Sequence, residues 1–336
     1  MERIMMWVKE RLYARNESSR RFFPLESQRL ARACRDMAAR FLDGGRLLAF
    51  GQGVYATDAQ HVSVEFVHPV IVGKRALPAL DLSMAFSDWI KTIVRPEDIV
   101  MGFAPPEGDA AVEEALTFAR SKGAQTFALP GKQGDYAVAP PDEDPFVQQE
   151  LIEILYHTLW ETVHVFFEHR ELGGKAGAAS FLYPFLGSEQ QDTSRVVSVV
   201  ARSIEEKAKD VERLREKVAE EESRQIVCAI RTLAEKIGRG GKLVVFGNGG
   251  SATDANDWAL DMMLPPKGMT PCPAVSLSME PAILSALAND VGAEVIFLRQ
   301  LIAQAGTDDV VVAISTSGGS KNVLMALEEA KKRGLT

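Results

Sequence analysis

The 336-residue sequence predicts an α/β protein that contains two copies of one domain, each a parallel sheet flanked by helices. Short apolar runs alternate with helical patterns, and the whole alternation occurs twice. The segment "GQGVYATDAQH" from Gly51 also returns as "GNGGSATDAND" from Gly247. Strands that alternate with helices form parallel sheets covered on both faces. Two copies at this spacing indicate a duplicated domain rather than a solenoid.

The composition is that of a globular protein and excludes several function classes. Hydrophobic residues make up 46% and charged residues 25% of the chain, a balance that allows a buried core. The formal net charge is −8 with no basic stripe, so nucleic-acid binding is not expected. No apolar run is long enough to cross a membrane, and the first residues do not resemble a signal peptide. The three cysteines have no CxxC spacing, which favours a reduced, cytoplasmic protein.

Three blocks of sequence align between the two copies. The change of offset between the last two blocks gives the second copy 16 additional residues, around "ALAND". The aligned blocks begin at Gly44 and Gly240 with an offset of 196 residues, at Leu77 and Cys272 with 195, and at Glu97 and Asp308 with 211.

The repeat sets the predicted domain boundaries. Residues 1–170 form the first domain, residues 171–193 a linker and residues 194–336 the second domain. A long helix is expected ahead of each sheet, around residues 25–41 and 194–237. The second of these helices is rich in Glu, Lys and Arg, which is typical of a solvated helix face; an inter-subunit bundle is the alternative.

The second copy is expected to be C-terminally truncated. By the 211 offset, Thr336 corresponds to Gln125, where a strand of the first copy begins. The last strands and closing helix of the repeat therefore have no counterpart. Either the natural chain continues or the sequence is a shortened form.

Two loops of the second copy have an anion-binding pattern. The segment "STSGGS" from Ser315 follows a buried strand and begins a helix, where free backbone N–H groups and the helix dipole attract an anion. For this loop alone, an ordinary serine-rich cap is the alternative. The segment "GNGGS" from Gly247 also lies between a strand and a helix, and ligands bind where parallel strands end.

These segments resemble the sugar isomerase (SIS) family and, within it, the phosphoheptose isomerases. The resemblance is carried by "GNGGSATDA", "ALAND" and "ISTSGGSKNVLMALEEAKKRG", and it covers most of the second copy and, more weakly, the first. It implies two tandem SIS domains, each a flavodoxin-like three-layer sandwich with long N-terminal helices. The implied activity is a ketose–aldose isomerase that converts sedoheptulose 7-phosphate to a D-glycero-D-manno-heptose 7-phosphate. The resemblance further implies a phosphate site at Ser315, Thr316, Ser317 and Ser320, and a sugar site lined by Asn248, Gly249, Gly250, Ser251, Asn289 and Asp290.

The first copy lacks the phosphate loop. Where the second copy has "STSGGS", the first has "APPEGD" from Ala104. Its two prolines remove backbone donors, and Glu107 and Asp109 would repel a phosphate dianion. Phosphate binding is therefore predicted for the second copy alone.

The first copy instead carries an acid–base and metal pattern. His61 and Glu65 lie four residues apart and share one helix face. The resemblance implies that His61, Glu65, Gln149 and His157 bind zinc or a similar divalent cation, and that Glu65 and His157 are the base and the acid. Moving a carbonyl between two carbons needs a base for the carbon-bound proton and an acid for the oxygen. For His61 and Glu65, the alternative is an ion pair on a helix surface. For His157, it is a histidine packed in the core. Gln149 is about 12 Å from His157 along a helix, so a substrate contact is the alternative for Gln149.

The resemblance also implies partners. Active sites of the family lie at subunit interfaces, so the two copies are expected to share a site for a phosphorylated seven-carbon sugar. A homodimer would then form a pseudo-tetramer of SIS domains. The alternative is a non-catalytic phosphosugar-binding protein or a DnaA-binding initiator-associating protein. Such a binder would not need the set of His61, Glu65, Gln149 and His157.

Overall fold

The computed structural model describes residues 1–69, 74–171 and 193–336. These residues form two compact units. The N-terminal unit comprises residues 6–221, and the C-terminal unit comprises residues 222–336 with residues 1–5. The predicted linker lies almost wholly outside the described residues.

The N-terminal unit is a parallel sheet with helices on both faces. Its strands are β1 (Leu47–Gly51), β2 (Ala79–Asp81), β3 (Ile99–Phe103), β4 (Gln125–Leu129) and β5 (Tyr136–Ala137). They pair in the order β2-β1-β3-β4-β5. The helices that lie mainly in this unit are α1 (Glu2–Leu42), α2 (Ala56–Val67), α3 (Phe86–Ile93), α4 (Ala110–Ser121), α5 (Pro145–Glu171) and α6 (Thr193–Glu221).

Alternate residues of β1 enter two different cores. Leu47 and Ala49 belong to a cluster that includes residues of α1, α2, α5 and α6. Leu48 and Phe50 belong to a second cluster with residues of α3 and α4. Successive side chains of a strand point to opposite faces, so a strand covered on both faces is apolar throughout. This burial explains why the central strands appear in the sequence as continuous apolar runs.

Helix α6 packs in the N-terminal unit, although the sequence placed it in the second domain. Its apolar face, which includes Val200 and Ile204, is buried in the core of the N-terminal unit. Helix α7 (Ser223–Gly238) lies in the C-terminal unit. The single helix expected around residues 194–237 is thus divided at Glu222, because its two parts pack in different cores. The domain boundary at residue 194 stays a prediction about the repeat.

The C-terminal unit has a smaller sheet of the same kind. Its strands are β6 (Leu243–Gly247), β7 (Ala274–Ser276) and β8 (Val310–Ile314). They are parallel and pair in the order β7-β6-β8. The remaining helices of the unit are α8 (Gly250–Met263), α9 (Pro281–Asp290), α10 (Ile296–Gln304) and α11 (Lys321–Lys332). The predicted α/β class with parallel sheets and flanking helices is confirmed.

The two units repeat local interactions at the offsets read from the sequence. An ion pair joins Arg46 to Asp98 at 2.7 Å, and another joins Lys242 to Asp309 at 2.6 Å. Each sheet also ends its first long strand at a glycine without room for a side chain. A Cβ on Gly51 would lie 2.2 Å from a backbone oxygen, and a Cβ on Gly247 would lie 2.4 Å from one. Duplication of one domain stays a prediction, which these matches support.

No helix among residues 1–69, 74–171 and 193–336 is both long enough and apolar enough to span a membrane.

Candidate active site

Two helices of the N-terminal unit bring the predicted acid–base residues together. Helix α2 follows β1 after a short turn, Gly53–Tyr55, and carries His61 and Glu65 on its buried face. Helix α5 packs against α2 and carries His157. The side chains of His61 and Glu65 are 7% and 10% exposed, whereas that of His157 is 41% exposed. His61 and Glu65 are therefore buried, and they lie beside His157, which water can reach.

His61, Glu65 and His157 form a compact cluster. One potential ligand atom from each residue lies within 4.8 Å of the other two. The Nδ1 atom of His157 makes a short hydrogen bond with Oε1 of Glu65. The two imidazole rings pack edge to face with their centroids 4.7 Å apart. The structure thus places three of the four predicted metal ligands around one point.

Gln149, the fourth predicted ligand, lies two helical turns before His157 on α5. Its Nε2 atom donates a hydrogen bond to Oδ2 of Asp58 at 3.1 Å, and both side chains are buried. Asp58 lies in the first turn of α2. The role of Gln149 as a metal ligand or a substrate contact stays a prediction.

Glu153 is a member of the site that sequence reasoning missed. Its Oε1 atom lies 3.4 Å from Nδ1 of His61 and 3.4 Å from Nε2 of His157. In the sequence, Glu153 is four residues after Gln149 and four before His157, a spacing that places all three on one helix face. That spacing was the available signal. It did not reveal that His61 lies across from this face.

The carboxylates and imidazoles shift one another's pKa values. Burial lowers the pKa of His61 to about 4, which keeps this imidazole neutral at pH 7. Burial opposes the charged form of His157, but hydrogen bonds to Glu153 and Glu65 outweigh it and raise the pKa of His157 to about 10. Burial raises the pKa of Glu65 despite the hydrogen bond from His157. Without a cation, the site therefore has a neutral imidazole and a protonated one beside a carboxylate.

The cluster fits a divalent cation. Zinc is bound in proteins by imidazole nitrogens and carboxylate oxygens, and the cluster offers both. The Oε2 atom of Glu65 is buried and has no hydrogen-bond partner among the described protein atoms. A buried carboxylate oxygen without a partner is costly, and a bound cation would satisfy it. His61, Glu65 and His157 are the residues that would hold the ion.

The predicted phosphate loop connects β8 to α11 in the C-terminal unit. The Oγ atom of Ser315 accepts from the backbone N–H of Gly318 at 3.1 Å, and Oγ of Ser317 accepts from that of Gly319 at 3.3 Å. Thr316 and Ser317 are exposed. Ser320 precedes the first residue of α11, and its hydroxyl makes no capping hydrogen bond to the helix. The loop therefore offers exposed hydroxyl groups at a helix N-terminus.

A pair of asparagines joins the first turn of α11, directly after this loop, to the loop after β6. The amides of Asn248 and Asn322 exchange two hydrogen bonds, of 3.0 and 2.9 Å. Gly249 has φ +59 and ψ −126, a conformation that suits glycine, and it lies directly before α8. Gly250 and Ser251 are the first residues of that helix. Asn322 was not among the predicted site residues. Its pairing with Asn248 could not be read from their distance in the sequence.

Asn289 and Asp290 are the last residues of α9. Both are exposed, and Nδ2 of Asn289 donates to Oδ1 of Asp290 at 2.8 Å. No described hydrogen bond joins either residue to residues 315–320. Their place in a sugar site stays a prediction.

In the N-terminal unit, the counterpart of α11 is α4, and a carboxylate of the chain itself caps its N-terminus. Asp109 precedes α4 and accepts hydrogen bonds from the backbone N–H groups of Ala111 at 2.8 Å and Val112 at 3.0 Å. By the 211 offset, Asp109 corresponds to Ser320. A carboxylate at this place takes the donors that an anionic ligand would use.

Comparisons with known proteins identify relatives of part of the chain. The family model described as SIS domain matches residues 208–336. The phosphoheptose isomerase of Thermodesulfovibrio yellowstonii is 44% identical over 124 residues, which are 35% of this chain and 62% of that protein. The phosphoheptose isomerase GmhA from Neisseria gonorrhoeae is 33% identical, with 42% of this chain and 70% of that chain covered and a TM-score of 0.35. The chain spans less than two thirds of the length of the curated relatives named first among its matches.

A fourth comparison covers nearly all of the chain. The C-terminal domain of glucosamine-fructose-6-phosphate aminotransferase from Francisella tularensis aligns with 99% of this chain and 82% of its own, at 11% identity and a TM-score of 0.52. At this identity the likeness shows the fold alone.

Proposed function

The C-terminal part of the chain, residues 208–336, belongs to the SIS domain family, and on this premise we propose that the protein is a ketose–aldose isomerase. Its proposed substrate is sedoheptulose 7-phosphate and its product a D-glycero-D-manno-heptose 7-phosphate. The observation that carries the proposal is the cluster of His61, Glu65 and His157, because a protein that only binds a phosphosugar needs no paired acid and base.

The reaction requires two coupled proton transfers, and the cluster has a group for each. Glu65 removes a proton from C1 of the ketose while His157 gives a proton to the oxygen on C2, which forms an enediol. In the second step, His157 takes the proton of the O1 hydroxyl and Glu65 gives a proton to C2, which forms the aldose. The pKa of Glu65 is raised by burial, which makes its carboxylate a stronger base. Without a bound cation, His157 carries its proton at neutral pH, which suits it to the role of the acid.

A zinc or similar divalent ion held by His61, Glu65 and His157 would polarise the carbonyl and stabilise the developing oxyanion. His61 fits this role because its low pKa leaves the imidazole neutral and able to bind a cation. Gln149 completes the proposed set, either at the cation or at the substrate.

The C-terminal unit is proposed to hold the phosphate. Backbone N–H groups and hydroxyls of residues 315–320 lie at the N-terminus of α11, where the helix dipole favours an anion. The loop after β6, joined to the first turn of α11 through Asn248 and Asn322, is proposed to contact the sugar. We further propose that the chain forms a homodimer.

Replacing Glu65 by Gln tests the proposal. The amide keeps the shape of the side chain but cannot accept a carbon-bound proton, so turnover of sedoheptulose 7-phosphate should fall by about 10²–10⁴. Glu114→Gln, at an exposed position of α4, is the matched control and should keep full turnover. Aldose formation is followed by chromatography, and substrate binding by calorimetry. Binding without any turnover in the wild-type chain would instead favour the non-catalytic phosphosugar-binding alternative.

A further inference from the structure

We propose that Glu153 is a positioning residue that holds both imidazoles of the metal cluster through a single carboxylate oxygen. This inference rests on the proposed metal site. Oε1 of Glu153 lies 3.4 Å from Nδ1 of His61 on α2 and 3.4 Å from Nε2 of His157 on α5. An ordinary pair of side chains four residues apart would involve His157 alone. The contact with a histidine on a second helix distinguishes Glu153 from such a pair.

The arrangement around His157 fixes which nitrogen faces the cluster. Its Nδ1 atom meets Glu65, and its Nε2 atom faces Glu153. Histidines that bind metals commonly donate their other ring N–H to a carboxylate, which sets the tautomer and the orientation of the ring. Glu153 therefore retains the hydrogen on Nε2 of His157 and leaves Nδ1 for the cation, beside Glu65. The same oxygen orients the ring of His61 through Nδ1.

Glu153 is suited to this task by its environment. The side chain is 32% exposed, so it is partly shielded from water and keeps a direct electrostatic effect on the two rings. The carboxylate contacts both rings, so it is placed to act on the cation through the two histidines.

Zinc binding by the 336-residue chain tests this role. The purified protein, stripped of metal, is titrated with Zn²⁺ in competition with a chelator. Glu153→Leu removes the acceptor and should weaken zinc binding by about 10- to 100-fold. Glu153→Gln keeps an oxygen at the same place and should recover part of that loss. Glu161→Gln, which removes a charge from the same helix at a residue paired with Lys207, is the control and should bind zinc as the wild type does.

A spectroscopic measurement separates positioning from a general loss of structure. In the zinc-loaded wild-type chain, ¹⁵N NMR of His157 should show zinc on Nδ1 and hydrogen on Nε2. Zinc on Nε2 would overturn the proposal, as would wild-type affinity in Glu153→Leu. The NMR result stands even if the leucine variant does not fold. Glu153-dependent zinc binding without isomerase turnover would refute the proposed function but leave this inference intact.

Discussion

Asp109 and Ser320 occupy corresponding positions in the two units, and exchanging each for alanine should have opposite consequences. Asp109 accepts two backbone hydrogen bonds at the N-terminus of α4, of 2.8 and 3.0 Å. Ser320 stands at the N-terminus of α11 and makes no such bond. We therefore expect Asp109→Ala to affect stability, and Ser320→Ala to affect phosphate binding.

The expected loss for Asp109→Ala follows from its capping role. Replacing an N-cap aspartate by alanine typically costs about 1 kcal/mol, within a range of about 0.5–2 kcal/mol. For a unit of this size, a loss of about 1 kcal/mol lowers the melting temperature by roughly 2–4 °C. Ser320→Ala removes no capping bond from the protein, so its effect on stability should stay within about 0.5 kcal/mol.

Calorimetric unfolding of the full chain measures the first effect, and titration with sedoheptulose 7-phosphate measures the second. Asp109→Ala should lower the melting temperature and leave sugar-phosphate affinity unchanged. Ser320→Ala should do the reverse, because a lost hydrogen bond to a charged group costs about 1.5–3 kcal/mol. Equal losses of stability in the two variants would refute the reasoning, and so would weaker phosphosugar binding in Asp109→Ala.

Three further predictions concern the phosphate loop, a carboxylate pair and assembly. Ser317→Ala should weaken phosphosugar binding roughly 10- to 100-fold by titration, and Pro106→Ala, at the corresponding position of the N-terminal unit, should leave it unchanged. Burial and the nearby Asp257 raise the pKa of Asp261 from 3.8 to about 7, so its ionisation costs folding free energy as pH rises from about 4 through 7. Asp261→Asn should therefore raise the denaturant midpoint at pH 8 and not at pH 4; an equal gain at both would contradict this origin. Light scattering at micromolar concentration should give the mass of a dimer, and a monomer would contradict the proposed assembly.

The parts of the fold that were predictable from the sequence are those in which burial leaves a local pattern. The strand Ile99–Phe103 is buried along its whole length and appears as an unbroken apolar run. The proximity of His61 and Glu65 follows from helical spacing alone. In both cases the determining contacts lie within a few residues of sequence.

The parts that were missed depend on which helix lies beside which. Glu153 faces His61 only because α5 packs against α2, and no spacing within either helix encodes that contact. Asn248 and Asn322 pair for a similar reason, since β6 and β8 are neighbours in the sheet. Asp109 was expected to repel an anion, but its side chain also takes the place of one. Such roles become visible only when backbone partners are known.

The packing of α6 changes where the chain should be cut to obtain a separate piece of it. The helix presents Val196, Val197 and Val200 to the interior of the N-terminal unit. A recombinant fragment that stops at residue 170 would lack α6 and expose to water the apolar residues that this helix covers. A fragment that starts at residue 194 would expose the same valines near its N-terminus, and exposed apolar side chains promote aggregation. Cutting after Glu221 avoids both problems, so the piece suited to expression ends well beyond the unit of sequence that repeats.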